Sequence, residues 1–433
     1  MGSFNFLLKI QTRFLLLLLS AALLLTGCQN LIKPPKLTDI TKITLWQGVN
    51  PPPNRDVLQK LVDKFNQQHP DIKVESLYVG QAEQQLPKIL AAVVGNAPPD
   101  LLWFNATLTG QLIELNAIRP LESWLANIPE LSQIDPALFE SMEYQGHTWS
   151  VPFATNNVGI FYRPSLFKAA GITDIPQTWD ELRQVARKLT MDTNGDQRID
   201  KHGIFLPLGK GEFAVFLWLP FMWSGGGELV DKDNQTPAIV NEGATSSLEF
   251  WRSLVTDGSA VLSLPERGFE IDDFIAGKVA MQITGPWTLG QLKATGIDFD
   301  VFPIPAKSRP ATAIGGENLF VFKSNPKQEA AALKFAQFAI GEEFQIQWAI
   351  NTGYLPINIK ARQSKQYQAF VATQPAVKVF LDQAKYGRSR PIFPRYSRLS
   401  ESLGRALESV LLGESTPKSA LKTAQQRLNL IFR

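Results

Sequence analysis

Aromatic rings and amide side chains gather at the ends of apolar runs in this chain, a pattern suited to recognising a polar, uncharged ligand. Trp46 and Gln47 close the run Ile43-Thr44-Leu45, Asn105 follows Leu101-Leu102-Trp103-Phe104, and Asn156 and Asn157 precede Val158-Gly159-Ile160-Phe161-Tyr162. Trp287 stands after Gly285-Pro286. Gly315-Gly316-Glu317-Asn318 is a turn that can offer backbone N–H groups and two polar side chains. A polyol presents hydroxyls that donate and accept, together with apolar C–H faces. Amides answer the first requirement and aromatic rings the second. Strand ends are also where open α/β sheets place their ligands. Trp218, Trp223 and Tyr354 are further aromatic candidates, and Arg390 and Tyr396 fall in a Pro-rich stretch near the end. Each has a plainer alternative. Most tryptophans pack, an asparagine can serve a turn, and Phe216 to Trp223 is so apolar that several of its members must be core.

Catalytic constellations are harder to assemble. The acid pairs Asp272-Asp273 and Glu342-Glu343 are adjacent on expected helices, where neighbours do not face one substrate. His69, His147 and His202 are scattered, so neither a Ser/His triad nor a zinc cluster is indicated. An exported glycosidase with two working carboxylates is the rival class. One acidic loop has chemistry of its own. Asp192, Asn194, Asp196 and Asp200 place oxygens at positions 1, 3, 5 and 9 of an EF-hand-like loop, with Arg198 at the backbone-ligand position. Gln197 stands where a glycine is usual, and Gly203 where a bidentate glutamate is expected. A structural calcium ion there is an expectation set against a solvated turn. No other cofactor is called for.

The single cysteine, Cys28, follows Lys9, Arg13 and the apolar run Phe14 to Leu25, with small residues just before it. Basic region, apolar stretch and small residues are the order of a secretory signal peptide. The run is shorter than the roughly 20 residues of a permanent spanning helix. Leu25-Thr26-Gly27-Cys28 resembles the bacterial lipobox, whose cysteine becomes the lipid-bearing first residue of the mature protein. Residues 1–27 therefore read as a leader and 28–39, polar and Pro-containing, as a tether. Loss of Lys9 and Arg13 takes the formal charge from +3 to +1. With no Lys/Arg-rich run either, nucleic-acid binding has no electrostatic footprint. The remaining roughly 400 residues exceed one core and call for two.

The elements that must position these residues alternate. A strand at Ile43 to Trp46, a helix from Arg55 with Val57, Leu58, Leu61, Val62 and Phe65 on one face, and a strand at Ile72 to Leu77 come first. A helix from Leu86 to Val94 and the fully apolar strand Leu101 to Phe104 follow. Such strands fit a parallel sheet covered on both faces. A second alternation starts after Trp149-Ser150-Val151-Pro152, where Thr178 can N-cap a helix from Trp179 with Glu181 as its capping-box partner. The fold class is α/β.

Ordered phrases then become recognisable. Phe65-Asn66-Gln67-Gln68-His69-Pro70-Asp71-Ile72, Pro98-Pro99-Asp100-Leu101, Tyr144 to Pro152 and Asn157 to Tyr162 come in turn. Thr178-Trp179-Asp180-Glu181-Leu182, Phe274 to Met281, Thr284-Gly285-Pro286-Trp287 and Thr352-Gly353-Tyr354-Leu355-Pro356 complete the series. In that order they resemble the sugar-type (family 1) extracellular solute-binding proteins of ABC importers, the group that includes maltose-binding protein. The resemblance implies a periplasmic-binding-protein-like fold of two hinged lobes with the ligand in the interlobe cleft. It implies lobe 1 at 40–150 plus 302–350 and lobe 2 at 151–301 plus 351–433. It also gives Trp287 the role of stacking on a sugar, and Asn156 and Asn157 that of polar groups at the lobe crossing. The partners implied are a mono- or oligosaccharide and the importer's membrane subunits, met by a monomer that is lipid-anchored outside the cytoplasmic membrane. A polyol phosphate, polyamine or anion in the same architecture is the alternative.

Overall fold

The computed structural model describes residues 40–231, 236–263 and 271–432. The leader, Cys28 and the tether lie outside these. Apart from the small hairpin Glu143–Tyr144 with His147–Thr148, the strands of the first half are, in chain order, β1 (Thr41–Gln47), β2 (Ile72–Tyr78), β3 (Leu101–Phe104), β4 (Val151–Pro152), β5 (Asn156–Asn157) and β6 (Gly159–Tyr162). Those of the second half are β7 (His202–Leu206), β8 (Ala260–Leu262), β9 (Val279–Thr284), β10 (Asp300–Pro303), β11 (Thr312–Gly315), β12 (Asn318–Val321) and β13 (Gly387–Arg388). The principal helices are α1 (Pro52–Gln68), α2 (Ala82–Val94), α3 (Trp179–Lys188), α4 (Glu212–Ser224) and α5 (Glu242–Thr256). They continue as α6 (Pro326–Ile340), α7 (Glu342–Thr352), α8 (Pro375–Gln383), α9 (Tyr396–Leu411) and α10 (Pro417–Ile431).

Two five-stranded sheets carry the lobes. The first has the order β2-β1-β3-β12-β4, with β1 parallel to β2 and β3, and β12 antiparallel to β3 and β4. Both its faces are covered. Leu101, Trp103, Leu319 and Val321 enter one apolar cluster, while Leu102, Phe104 and Phe320 enter another. Continuous hydrophobicity along β3 is the expected signature of such a strand. On α1, Leu58, Leu61, Val62 and Phe65 are buried on the sheet, as their spacing predicts. The second sheet runs β8-β7-β9-β6-β10. Its main core includes α4, whose residues from Ala214 to Ser224 are all buried, and α9. A helix apolar on every side has to be internal. The capping box on α3 is present: Glu181 N donates to Thr178 Oγ1 at 3.2 Å, and Thr178 N donates to Glu181 Oε2 at 3.1 Å.

A third, three-stranded sheet, β13-β11-β5, lies between the two. The chain passes from β4 in the first sheet through β5 to β6 in the second, and returns from β10 through β11 to β12. Ile314 pairs with Asn157 and Gly315 with Asn156 in antiparallel register, and Leu355 pairs with Thr155. Three crossings therefore run side by side. This shifts the boundaries implied by the resemblance. Val151–Pro152 pairs with β12 in the first lobe. Phe302, Ile304 and Ala311 pack in the second-lobe core, and Tyr354 and Ile357 in the first. The strands cross where their apolar faces change core: Ala154 packs in the first and Val158 in the second, Ala313 in the second and Leu319 in the first.

Asn157 is fully buried and serves this crossing. Its Nδ2 donates to the Phe380 carbonyl at 2.8 Å, and its Oδ1 accepts from Gln383 Nε2 at 2.6 Å, which fixes the end of α8. Asn157→Ala would leave buried polar groups unpaired at a cost of about 1–3 kcal/mol. The variant should melt several degrees below the parent with an unchanged far-UV spectrum. Equal melting temperatures would contradict this account of the crossing.

Candidate functional site

The crossings and the two lobes enclose an inner chamber of about 140 Å³. The first lobe contributes Gly48, Asn50, Glu83, Gln85, Trp103 and Asn105; the second contributes Glu212, Phe213, Phe216 and Arg390. Asn156, Gly315, Gly316, Glu317 and Tyr354 come from the crossings, and Trp287 closes one side. A larger cavity of about 910 Å³ adjoins it and shares Gln81, Glu83, Asn105, Glu212 and Phe213. Its outer wall is formed by Leu86, Leu90, Lys210, Tyr396, Arg398 and Glu401. The lobes touch across this space: the Phe213 N–H, at the start of α4, donates to Glu83 Oε1 on α2 at 3.1 Å.

Trp287 is half-buried and packs against the cores of both lobes. Its ring lies 6.4 Å from that of Phe216, tilted by 40°, and its carbonyl accepts from Asn54 Nδ2 at 3.0 Å. The indole folds back over Gly285, where any side chain would collide with it. Gly315 and Gly316 answer a similar demand. A Cβ on Gly315 would strike Asn156 Oδ1 and the Phe216 ring, and Gly316 has a φ of 125° with the Ala154 carbonyl against it.

The charges are arranged unevenly. Arg390 Nη1 lies 2.5 Å from Glu212 Oε1, and its guanidinium sits 4.7 Å from the Phe216 centroid. Tyr396 OH donates to the same carboxylate oxygen at 3.2 Å, and Ser400 Oγ donates to Oε2. Glu212 is thus fully engaged. Glu317 is not: its Oε2 is buried with no hydrogen-bond partner. Burial pushes the Glu317 carboxyl up to about 8, with Arg390 pulling the other way. At pH 7 the acid form then prevails by roughly ten to one. Burial likewise lifts the Tyr354 hydroxyl far above its usual value, reinforced by Glu317. Asn156 Oδ1 and Trp103 Nε1, both in the chamber wall, are also buried without partners.

The structure sorts the residues singled out in the sequence. Trp287, Asn105, Asn156, Gly316, Glu317, Tyr354 and Arg390 line the inner chamber, and Tyr396 lines the outer cavity. Trp46 does not. Strand alternation turns it to the opposite face from Leu45, where it packs in the Ile89–Leu102 cluster. Gln47 Oε1 accepts the Val49 N–H at 2.8 Å and so shapes the loop after β1. Trp218 and Trp223 are buried in the second core, and Asn157 holds α8. Asn318 Nδ2 donates to the Ser141 carbonyl at 2.7 Å and to Ser150 Oγ at 2.8 Å. These six are structural. Sequence reading missed Glu83, Gln85, Trp103, Glu212 and Phe216. Trp103 was visible as the penultimate residue of a strand beside Asn105, whereas Glu83, Gln85, Glu212 and Phe216 lie on helices that only the tertiary fold brings together.

The Asp192–Asp200 loop is closed by its own backbone. Asp192 accepts from Gly195 N at 2.7 Å and Gln197 N at 2.8 Å, Asp196 Oδ1 from Arg198 N at 2.8 Å, and Asp200 Oδ2 from Thr193 N at 2.7 Å. Asn194 Oδ1 takes the Asp196 N–H at 2.8 Å. Gly203, in the place of the expected glutamate, has the Ala186 backbone against it and no room for a side chain. Among the described residues no group of three or more His, Cys, Asp or Glu could hold a metal ion.

Two α/β lobes that meet over a ligand-sized chamber, joined by three paired crossings, define a two-lobe solute-binding protein. The chain belongs to the bacterial extracellular solute-binding protein family, whose pattern matches residues 60–376. Membership places the folded body outside the cytoplasm and in a family of binding proteins. The maltotriose-binding protein of Pyrococcus abyssi (strain GE5 / Orsay) is 26% identical over 322 residues, covering 73% of this chain and 66% of the relative. The sn-glycerol-3-phosphate-binding periplasmic protein UgpB of Escherichia coli O1:K1 is 26% identical over 425 residues, covering 91% and 93%. An ABC transporter solute-binding protein of Thermotoga lettingae TMO, solved with alpha-D-tagatose, superposes with a TM-score of 0.81 at 24% identity, covering 91% of this chain and 100% of that one.

The raised Glu317 carboxyl has a stability consequence. Between the unfolded value of about 4.5 and the folded value of about 8, the unfolded chain has lost a proton that the folded one keeps. Unfolding is therefore favoured increasingly as pH rises through this window. Glu317→Gln should melt above the parent at pH 8.5 by a few degrees, with the gap closing below pH 5. A gap independent of pH would show that the carboxyl is not held in its acid form.

Proposed function

We propose that this protein captures a neutral sugar in the interlobe chamber and delivers it to the membrane subunits of an ABC importer. The observation that carries the reading is the composition of the chamber wall. Trp287 and Phe216 offer aromatic faces, Asn156, Asn105 and Gln85 offer amides, and the one guanidinium is already paired with a carboxylate. Glu83, Glu212 and Glu317 outnumber Arg390 there, which disfavours a phosphate or another anion. Glu212 is held by Arg390, Tyr396 and Ser400, and Glu83 takes the Phe213 N–H, which supports capture rather than a pair of working glycosidase carboxylates. The maltotriose-binding relative and the tagatose-bound structure agree with a sugar; the glycerol-phosphate-binding relative defines the competing ligand class.

On this reading the protein acts as a monomer, tethered by lipid on Cys28 at the outer side of the membrane. Closing and opening of the lobes about the crossings is the signal that the membrane subunits read. Ligand favours the closed form because only that form lets it touch both lobes.

The chain from Gln29 onward contains every element of both lobes. Its melting temperature should rise with one class among mono-, di- and oligosaccharides, because a ligand that binds only the folded form stabilises it. Glycerol 3-phosphate and spermidine should leave it unchanged. Trp287→Ala should weaken sugar binding by roughly tenfold or more, about 1.4 kcal/mol, while the melting temperature without ligand stays within a few degrees. A shift with glycerol 3-phosphate and none with sugars would replace the sugar reading with a polyol phosphate.

A further inference from the structure

Two buried oxygens in the inner chamber lack a protein donor: Glu317 Oε2 and Asn156 Oδ1. They come from neighbouring crossings: Asn156 pairs with Gly315, two residues before Glu317. An amide oxygen so placed can only accept. A carboxyl buried without donors gives up its charge, because an unpaired buried carboxylate costs far more than the neutral acid. The acid form carries one O–H to give. The charged and titratable groups around Glu317 come from every side of the chamber. Arg390 is taken by Glu212, Tyr396 points its hydroxyl at that same Glu212, Glu83 accepts from the start of α4, and Tyr354 follows α7. None of them donates to Glu317 Oε2.

We propose that Glu317 and Asn156 are the pair that sets ligand specificity in the chamber. Asn156 Oδ1 accepts from one hydroxyl of the innermost sugar unit, and the Glu317 carboxyl, in its acid form, donates to a neighbouring ligand oxygen. The inference deepens the sugar reading above and rests on it. It carries two consequences. A bound sugar encloses Glu317 further, so its ionisation, which is half complete near pH 8 in the free protein, must be reversed on binding, and affinity falls as pH rises past that value. A ligand ammonium would demand the carboxylate instead and reverse the pH dependence.

The test is calorimetric titration of the chain from Gln29 onward between about pH 6 and 9.5. The probes are maltotriose and D-tagatose as neutral sugars, D-glucosamine, and glycerol 3-phosphate. Parent, Glu317→Gln, Glu317→Ala and Asn156→Ala are compared, and the free protein is followed in parallel by carboxyl NMR. A neutral sugar should lose roughly tenfold or more in affinity in both alanine variants. Glu317→Gln keeps one N–H donor and should recover part of that loss. The parent's affinity should drop about tenfold between pH 7.5 and 9 while that of Glu317→Gln stays flat. A neutral sugar that binds Glu317→Ala as tightly as the parent overturns the proposal and leaves the sugar reading intact. Tighter binding of D-glucosamine, rising from pH 6 to 8, overturns it in favour of an ion pair. Binding of glycerol 3-phosphate alone overturns both. Should no probe bind, the NMR titration decides: a Glu317 carboxyl that ionises below pH 6 in the free protein contradicts the proposal, and one near 8, absent from Glu317→Gln, supports it.

Discussion

The structure depends on the antiparallel pairing of Asn156–Asn157 with Ile314–Gly315, where two chain segments pass together from one apolar core to the other. Each lobe buries its own sheet, and neither core extends through the crossing. The chain there cannot rely on burial alone and uses backbone pairing and buried amides instead. Because the strands are short and both sides are anchored, the crossing can act as a hinge while its residues keep their register. It also explains why the chamber sits where it does. Asn156 and Glu317, at the crossing, reach the interlobe space without belonging to either core, so they can keep polar atoms buried yet available.

Charge in the chamber follows from the same geometry. Arg390 stacks over Phe216 and is bound through Nη1 to Glu212, which neutralises its charge before any ligand enters, while its Nε stays buried without a partner. Glu317 receives only a longer-range pull from that cation, too little to offset its desolvation. A chamber with a neutralised acid, an unpaired amide oxygen and aromatic walls offers much to a hydroxyl-rich ring and little to an anion. The contact of Glu83 with the start of α4 adds a direct link between lobes at the chamber's edge. A carboxylate at a helix N-terminus is favourably placed, so this contact favours the approach of the lobes around whatever occupies the space.

Much of the architecture was legible in the sequence because it rests on local patterns. The apolar face of α1, the fully apolar β3, the capping box at Thr178 and the order of family phrases are all short-range signals. Boundaries between lobes were less so, because Ile304 and Ala311 or Tyr354 and Ile357 do not reveal which core they enter. The site divided in the same way. Trp287 and the Gly-Gly-Glu turn could be found from motif and strand end. Trp46 and Trp218 could not be told from cleft residues, since only strand alternation in a sheet covered on both faces, or a helix buried all round, sends them inward. Glu212 and Phe216 were invisible for the converse reason. They lie in and beside an apolar run that reads as core, and only the first turn of α4 emerges into the chamber.

The most direct test of the central claim is a crystal structure of the chain from Gln29 onward, grown with the neutral sugar that stabilises it most. A sugar ring should lie against Trp287, between the Asn156 and Glu317 side chains, with both lobes touching it. Density for the sugar outside the chamber, or on one lobe alone, would contradict it.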